Sequence, residues 1–315
     1  MAQKKDKKEA IDTKKNNTST SDKIKDLTQS ACPVPNGTLI LIGGAEDKGK
    51  PVEEGDPKTK LSDVMSLDII KTFCNELGDK NARIEIITTA SSMPEEVEKD
   101  YKEVFKEIGC TNIGFIHDFA RLSAVKSLHL DRLRQAKGVY FTGGDQLKLT
   151  ALYGGTEFLS ILKYRYVYDN LVIAGTSAGA MAMSTPMIYQ SEGSSMDLLK
   201  GEVRITTGLE FLKDVAIDTH FIHRGRFMRL SQVLATNPSS IAIGIEEDTA
   251  IVIRNGIDME VIGNGGVIII DGHMSTHTNI FDAKTDEAIT IENLKVDLLK
   301  KGDHYKIPRY NLQHL

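Results

Sequence analysis

Length, composition and charge exclude several classes of protein at the outset. The chain has 315 residues, of which 40% are hydrophobic, and its formal net charge is −5 at pH 7. This size provides for one large α/β domain or two small ones, and the charge gives no reason to expect nucleic acid or an anionic membrane as a partner. No apolar run approaches the roughly 20 residues of a membrane-spanning helix, and the basic N-terminus lacks the apolar segment of a secretory signal.

Residues 1–30 are dominated by Lys, Asp, Thr, Ser and Asn. Their few large apolar side chains cannot offset the entropy lost on ordering, so we predict a disordered, charged tail before a single α/β domain over residues 31–315. Cys32, Cys74 and Cys110 are scattered and odd in number, which predicts neither a disulfide framework nor a metal site. That cysteine usage favours a reducing, cytoplasmic compartment.

The folded part is predicted to begin with a buried strand over 38–42 that ends in Gly43-Gly44, followed by a polar loop over 50–60. Apolar periodicity then alternates between helices and strands. It predicts helices over 63–77, 95–108 and 123–136, and strands over 83–91, 113–117 and before the pair Gly143-Gly144. This alternation is typical of βαβ units, which build a mostly parallel sheet with helices on both faces. The active site of such a sheet lies beyond the carboxyl ends of its strands.

The most informative stretch is the apolar run 171–174, which leads into Gly175-Thr176-Ser177-Ala178-Gly179 and a predicted short helix. A serine on a sharp turn from strand to helix is a nucleophile elbow, and glycines without Cβ atoms allow that turn. The N–H of Ala178 would be free to stabilise an oxyanion. The alternative interpretation is a glycine-rich turn that only packs the helix on the strand.

A serine nucleophile needs a base, usually a histidine that a carboxylate orients. A short strand from 215 leads to Asp218 and His220, which share a side if the strand alternation continues. His220 and His223 could also form a metal pair, but no third ligand is evident, so we predict no metal and no organic cofactor. The isolated His117 and His129 are interpreted as structural or surface residues.

The orienting carboxylate stays open at this stage, with these candidates: Asp218, Glu246, Glu247 and Asp248. Three arginines follow the predicted base, and their planar guanidinium groups suit recognition of carboxylates: Arg224, Arg226 and Arg229. The alternative for them is a solvated helix face paired with acids. The residues therefore predict a serine hydrolase that acts on an acidic substrate.

The later chain is less informative. Residues 187–208 are predicted to be irregular, and residues 249–272 alternate short strands with Gly and Asn turns, as an antiparallel extension would. The pattern does not place residues 285–315.

The motifs resemble those of the cyanophycinases, in the serine peptidase family that also holds the aspartyl dipeptidases. The matching segments lie in the same order and spacing over about 37–272: 42–48, 141–146, 174–180, the run from Asp218 to Arg229, and 244–250. The resemblance implies an α/β fold similar to class I glutamine amidotransferases, a flavodoxin-like three-layer sandwich, with serine in place of their cysteine.

The resemblance also implies roles for individual residues. Ser177 would be the nucleophile, His220 the base, and Glu247 the acid that orients the base. Backbone N–H groups of Gly144 and Ala178 would form the oxyanion hole.

The implied substrate is cyanophycin, a poly-aspartate whose side chains carry arginine through isopeptide bonds, and the implied product is the β-Asp-Arg dipeptide. The substrate pocket would be lined by Gln146, Asp218, Arg224, Arg226 and Arg229. A homodimer is expected by resemblance alone.

The sequence departs from the family pattern beside the predicted base. Thr219 stands where we expect glutamine, and Ile222-His223 replaces a more usual Ser-Gln. These changes leave the triad in place and leave the side-chain preference open. Two rival functions therefore remain, a peptidase for other aspartyl or isoaspartyl peptides and a non-catalytic binding protein on the same fold.

Overall fold

The computed structural model describes residues 33–44, 67–191 and 198–308 of the chain. The predicted tail over 1–30, the polar loop over 50–60 and the last seven residues, 309–315, lie outside these ranges. Within them, Val34–Pro308 forms one compact unit. None of the described helices has the length and apolar character needed to cross a membrane.

An eight-stranded sheet forms the middle of the fold. Its order is β18 (His304–Lys306), β13 (Asp258–Gly263), β12 (Thr249–Arg254), β1 (Thr38–Ile42), β5 (Val172–Thr176), β4 (Gly138–Phe141), β2 (Ile84–Ile87) and β3 (Ile113–Ile116). The neighbouring strands pair in parallel over one part of the sheet, in the order β1, β5, β4, β2 and β3. The strands β12, β13 and β18 extend the sheet beyond β1 in antiparallel pairs. The predicted parallel sheet and its antiparallel extension are therefore confirmed, and Gly43, Gly143 and Ser177 all follow carboxyl ends on one edge.

Helices cover both faces of this sheet. The helices α1 (Asp68–Glu76) and α2 (Pro94–Ile108) lie on one face, and the other face carries α3 (Ser127–Gln135), α4 (Gln146–Tyr153), α5 (Glu157–Tyr168) and α6 (Ala178–Met181). Ile40 and Ile42 of β1 pack toward the first pair of helices, while Leu39 and Leu41 pack toward the second group. Burial on both faces explains why the central strands are continuous apolar runs without polar alternation.

A second sheet, which the sequence did not predict, packs beside the first. Its order is β17 (Lys295–Leu299), β14 (Val267–Asp271), β11 (Ile241–Ile245), β10 (Val215–Thr219), β6 (Ser184–Thr185) and β9 (Leu212–Lys213). Ile217 and Ile243 join the same core cluster as Leu39. On the opposite face, helix α7 (Phe227–Thr236) packs its Leu234 against Ala216.

The prediction of an irregular segment over 187–208 was wrong for the described part of it. The strands β7 (Met187–Ser191) and β8 (Val203–Thr206) pair antiparallel there. Met187 and Ile188 are buried, but a short strand with one apolar end has too little alternation to be recognised from sequence. The unplaced C-terminal part contributes β16 (Ile291–Glu292), which pairs with β15 (His277–Thr278).

Candidate active site

Ser177 lies on the sharp turn between β5 and α6, with a φ of 50° that disfavours side-chain-bearing residues. A Cβ on Gly175 would lie 2.5 Å from the carbonyl oxygen of Gly179, and one on Gly179 would lie 2.3 Å from that of Phe141. The Ser177 N–H donates to the carbonyl of Ile42 at 3.0 Å. The strained elbow therefore requires glycine two residues before and two residues after Ser177. The hydrogen bond to Ile42 of β1 stabilises it.

The side chains of Ser177, His220 and Glu247 form a continuous chain of contacts. Ser177 Oγ lies 3.0 Å from His220 Nε2, and His220 Nδ1 lies 2.5 Å from Glu247 Oε1. A carboxylate that accepts the Nδ1 proton leaves Nε2 free to accept the proton of the serine hydroxyl. The geometry is that of a Ser-His-acid triad.

The Gly43-Gly44 turn at the end of β1 positions the histidine. The His220 N–H donates to the carbonyl of Gly43 at 2.9 Å, and the Asp248 N–H donates to the carbonyl of Gly44 at 3.0 Å. Gly44 has a φ of 100°, and a Cβ there would lie 2.4 Å from His220 Cε1. The imidazole ring thus packs directly against the backbone of Gly44, and any residue with a Cβ at this position would collide with the ring.

The other acidic candidates have different partners. Glu246 Oε2 accepts hydrogen bonds from the backbone N–H groups of Ile222 at 2.5 Å and His223 at 3.0 Å. Asp248 Oδ2 accepts one from the side-chain amide of Asn264 at 2.5 Å. Glu246 therefore stabilises the turn that follows His220. Beyond the place of Glu246 in an acidic triplet, nothing in the sequence indicated this role.

The carboxylate of Asp218 is directed at two arginines and makes no hydrogen bond with His220. Its side chain is buried, with 0% exposure, and accepts hydrogen bonds from Arg226 Nη1 at 3.1 Å and Arg229 Nε at 2.7 Å. The expected alternation fails because β10 ends at Thr219 and His220 adopts a φ of 51°. The carboxylate of Asp218 therefore faces the arginines at the start of α7, and its place in a substrate pocket stays a prediction.

The three arginines differ in their surroundings. Arg226 and Arg229 are partly buried against Asp218, whereas Arg224 is exposed and forms no ion pair within the described ranges. Burial lowers the pKa of Arg226 below its usual value. The positive charges of Arg229 and Arg224 also lower this pKa, whereas the negative charge of Asp218 raises it. Of the three arginines, Arg224 is therefore the most accessible.

Gln146 stands at the start of α4, and its side-chain amide donates to the carbonyl of Ile188 at 2.9 Å. It is half-buried, and the contact ties α4 to β7. His223 is exposed. Among the residues that the structure describes, no group of three His, Cys, Asp or Glu side chains could hold a metal ion.

Two backbone N–H groups lie beside the serine. Gly144 has a φ of 139°, and a Cβ there would lie 2.1 Å from the carbonyl oxygen of Ala90, while one on Gly143 would approach Ser177 Cβ to 3.5 Å. Neither the Gly144 nor the Ala178 N–H donates to another described residue. The family resemblance assigns these two groups to the oxyanion hole, which stays a prediction.

The fold and the site together define a serine-type peptidase on a mixed α/β scaffold. The chain belongs to peptidase family S51, whose model matches residues 59–260. It is 32% identical over 278 residues to a cyanophycinase from Synechococcus elongatus, covering 88% of this chain and 81% of the relative. It is 33% identical over 269 residues to a cyanophycinase from Trichormus variabilis, covering 85% of each.

The fold is also similar to a solved structure, the crystal structure of a peptidase from an acI-B1 Actinobacterium. The TM-score is 0.60 at 21% identity, and the match covers 87% of this chain and 98% of that one. At this identity the likeness concerns the fold alone. It supports the mixed α/β architecture described above.

Proposed function

We propose that this chain is a serine exopeptidase that hydrolyses cyanophycin to β-Asp-Arg dipeptides through an acyl-enzyme. The observation that carries the proposal is the contact chain of Ser177 Oγ, His220 and Glu247, with separations of 3.0 and 2.5 Å. The cyanophycinase relatives, at 32% and 33% identity over most of the chain, support the choice of polymer.

In the proposed mechanism, Ser177 Oγ attacks the scissile carbonyl carbon while His220 Nε2 takes its proton. The negative charge on the carbonyl oxygen is stabilised by the N–H groups of Gly144 and Ala178. The C–N bond then breaks, and His220 gives its proton to the leaving amine. Water then attacks the acyl carbon with His220 again as base, the bond from that carbon to Ser177 Oγ breaks, and His220 returns the proton to Oγ. Glu247 holds the imidazole in the required tautomer throughout.

The arginines are proposed to bind the carboxylates of the substrate. Arg224 is exposed and carries a charge without an ion-pair partner in the described ranges, so it can meet a free carboxylate directly. Arg226 and Arg229 are held by Asp218, which we propose acts as a positioning residue. The amide oxygen of Gln146, whose amide nitrogen is bound to Ile188, would accept a hydrogen bond from an N–H group of the substrate.

Thr219 and the pair Ile222-His223 change the surroundings of the base. Thr219 is 1% exposed, and its Oγ1 has no hydrogen-bond partner among the described residues. Ile222 is 55% exposed beside the turn that Glu246 fastens. These residues are the positions at which we propose the side-chain preference differs from that of typical cyanophycinases. A cytoplasmic location and a homodimer belong to the same proposal.

The test is incubation of the purified protein with insoluble cyanophycin, with released products identified by mass, beside Ser177→Ala. We expect β-Asp-Arg from the unmodified protein and none from the variant. If the polymer stays intact while short β-aspartyl peptides are cut, the triad is right and the polymer is wrong. If nothing is cut but the polymer binds, the non-catalytic alternative holds.

A further inference from the structure

Three polar residues form a closed ring of hydrogen bonds beyond the carboxyl ends of β2 and β3. The Asp118 N–H donates to Thr89 Oγ1 at 3.0 Å, and Tyr153 Oη donates to Asp118 Oδ2 at 3.0 Å. Tyr153 Oη and Thr89 Oγ1 lie 2.6 Å apart. Because the phenol proton goes to Asp118, the hydroxyl of Thr89 donates to Tyr153. Each member of the ring therefore both donates and accepts a hydrogen bond.

The ring is buried. Thr89 and Asp118 are each 2% exposed and Tyr153 is 0% exposed, with its aromatic ring stacked on Phe158 at a centroid distance of 4.0 Å. Burial and the negative charge of Asp118 raise the pKa of Tyr153 well above its usual range, so the phenol stays a donor. The other oxygen of the carboxylate, Asp118 Oδ1, lies 3.3 Å from His129 Nδ1. The loss of one member of such a buried network leaves the remaining polar groups without partners.

The turn that follows β2 links this ring to Gly144. Ala90, the residue after Thr89, is 1% exposed, and its carbonyl accepts the N–H of Asp145 at 3.0 Å. A Cβ on Gly144 would lie 2.1 Å from the same carbonyl oxygen. The backbone of Gly144 therefore packs directly against the peptide group of Ala90, and the position of one depends on the position of the other.

Helix α4 is bound to this turn at both of its ends. It begins directly after Asp145, whose N–H donates to Ala90, and it ends at Tyr153, whose phenol contacts Thr89. The helix has 8 residues, which corresponds to a length of about 12 Å. Because a helix of two turns moves as one body, a change at Tyr153 shifts the start of the helix and the neighbouring Gly144.

We propose that Tyr153, Thr89 and Asp118 are positioning residues for the N–H of Gly144. The inference rests on the proposed function, in which that N–H stabilises the oxyanion. Such a donor must lie about 2.7–3.1 Å from the oxyanion, and a misplacement of about 1 Å costs on the order of 10²-fold in rate. Because the oxyanion exists only after the serine attacks, the ring should affect kcat and leave KM unchanged.

The first test is Tyr153→Phe, which removes the phenol oxygen and keeps the aromatic ring. The matched control is Tyr101→Phe, since Tyr101 is 1% exposed on the opposite face of the sheet and its hydroxyl contacts that of Tyr140. With cyanophycin, we expect Tyr153→Phe to lower kcat about tenfold with KM unchanged, and Tyr101→Phe to leave both unchanged. Thermal unfolding should occur at a lower temperature in both variants. An unchanged kcat in Tyr153→Phe, or an equal loss in Tyr101→Phe, would overturn the proposal.

A second pair of variants separates the hydroxyl of Thr89 from its packing. Thr89→Val keeps the shape of the side chain and removes the hydroxyl, whereas Thr89→Ser keeps the hydroxyl and removes a methyl group. We expect kcat to fall about tenfold in Thr89→Val and to be retained in Thr89→Ser, because only the hydroxyl closes the ring. An equal loss in the two variants would show that packing rather than the ring determines the rate, and would reject the proposal.

The activated ester p-nitrophenyl acetate separates this inference from the choice of cyanophycin. The ester acylates a serine nucleophile without the polymer, and the early release of p-nitrophenolate gives the acylation rate, with Ser177→Ala as the background. If the unmodified protein is acylated but leaves cyanophycin intact, the polymer is wrong, and acylation about tenfold slower in Tyr153→Phe would still support the positioning role. An acylation rate that Tyr153→Phe does not change, or absence of acylation in the unmodified protein, would reject it.

Discussion

At the scale of single residues, the adjacent glutamates Glu246 and Glu247 have different hydrogen-bond partners and different roles. Glu247 meets the imidazole of His220 at 2.5 Å, whereas Glu246 accepts backbone N–H groups from Ile222 and His223. Both follow directly after β11, which ends at Ile245. Glu247 lies in the turn that follows, so its carboxylate faces the imidazole while that of Glu246 faces the turn after His220.

Glu247→Gln and Glu246→Gln form a matched pair that tests this division. We expect Glu247→Gln to lower kcat by about 10⁴, because an amide can hold His220 in the wrong tautomer. Glu246→Gln keeps an oxygen acceptor for the turn, so we expect a loss of less than about tenfold. Turnover of cyanophycin is the measurement, with circular dichroism to check folding. Equal losses in the two variants would contradict the assignment.

At the scale of elements, the Gly43-Gly44 turn joins four parts of the fold. It ends β1, accepts N–H groups from His220 and Asp248, and donates to the carbonyl of Thr249 at 2.9 Å. The neighbouring β1 residue Ile42 accepts the N–H of Ser177. The end of β1 and this short turn therefore fix the relative positions of Ser177, His220 and the loop that carries Glu247.

Gly44→Ala should reduce activity far more than stability. The new Cβ would lie 2.4 Å from His220 Cε1, which displaces the imidazole. Gly78→Ala is the control, since Gly78 also has a positive φ, of 72°, but has nothing within 4 Å of an added Cβ. Both changes cost roughly 1–2 kcal/mol of backbone strain, so thermal unfolding should shift similarly. A similar kcat for the two variants would show that the turn does not position the base.

At the scale of the whole molecule, two sheets share one core. Leu39 and Ile173 of the large sheet and Ile217 and Ile243 of the second belong to one cluster, each with 0% exposure. Folding either sheet without the other would expose this apolar surface, so the two stabilise each other. The region over 275–294 lies outside this cluster, and its few buried side chains, such as Ala283 and Ile289, are not members of it.

Hydrogen exchange should show this shared core. Amides in β1, β5, β10 and β11 should exchange roughly two orders of magnitude more slowly than those in residues 275–294, because only global unfolding exposes the central strands. Mass spectrometry of peptides from the native protein measures the difference. Slow exchange over 275–294, or fast exchange in the second sheet alone, would contradict a single core.

Sequence reasoning recovered most of the large sheet and the strand from 215, but it did not predict that a second, separate sheet exists. The strands β1, β4 and β5 are apolar runs that lead into glycine-containing turns, and this signal is contained within a few neighbouring residues. The strands β6 and β9 have two residues each, and β17 has few buried side chains. Such strands exist because a partner pairs with them, and a pairing partner is not visible in local periodicity.

The sequence by itself determined the alternating α/β pattern and the elbow at Ser177, because both depend on local sterics and apolar spacing. Residue patterns left four candidates for the acid and the family resemblance favoured Glu247, whereas the contact of Glu247 with His220 and the direction of Asp218 toward α7 are visible only in the tertiary structure. His220 is 43 residues from Ser177, and Glu247 is 27 residues from His220. Contacts over such separations follow from how strands pair and where a backbone turns, as at the positive φ of His220. Only the folded chain brings those atoms within hydrogen-bonding distance.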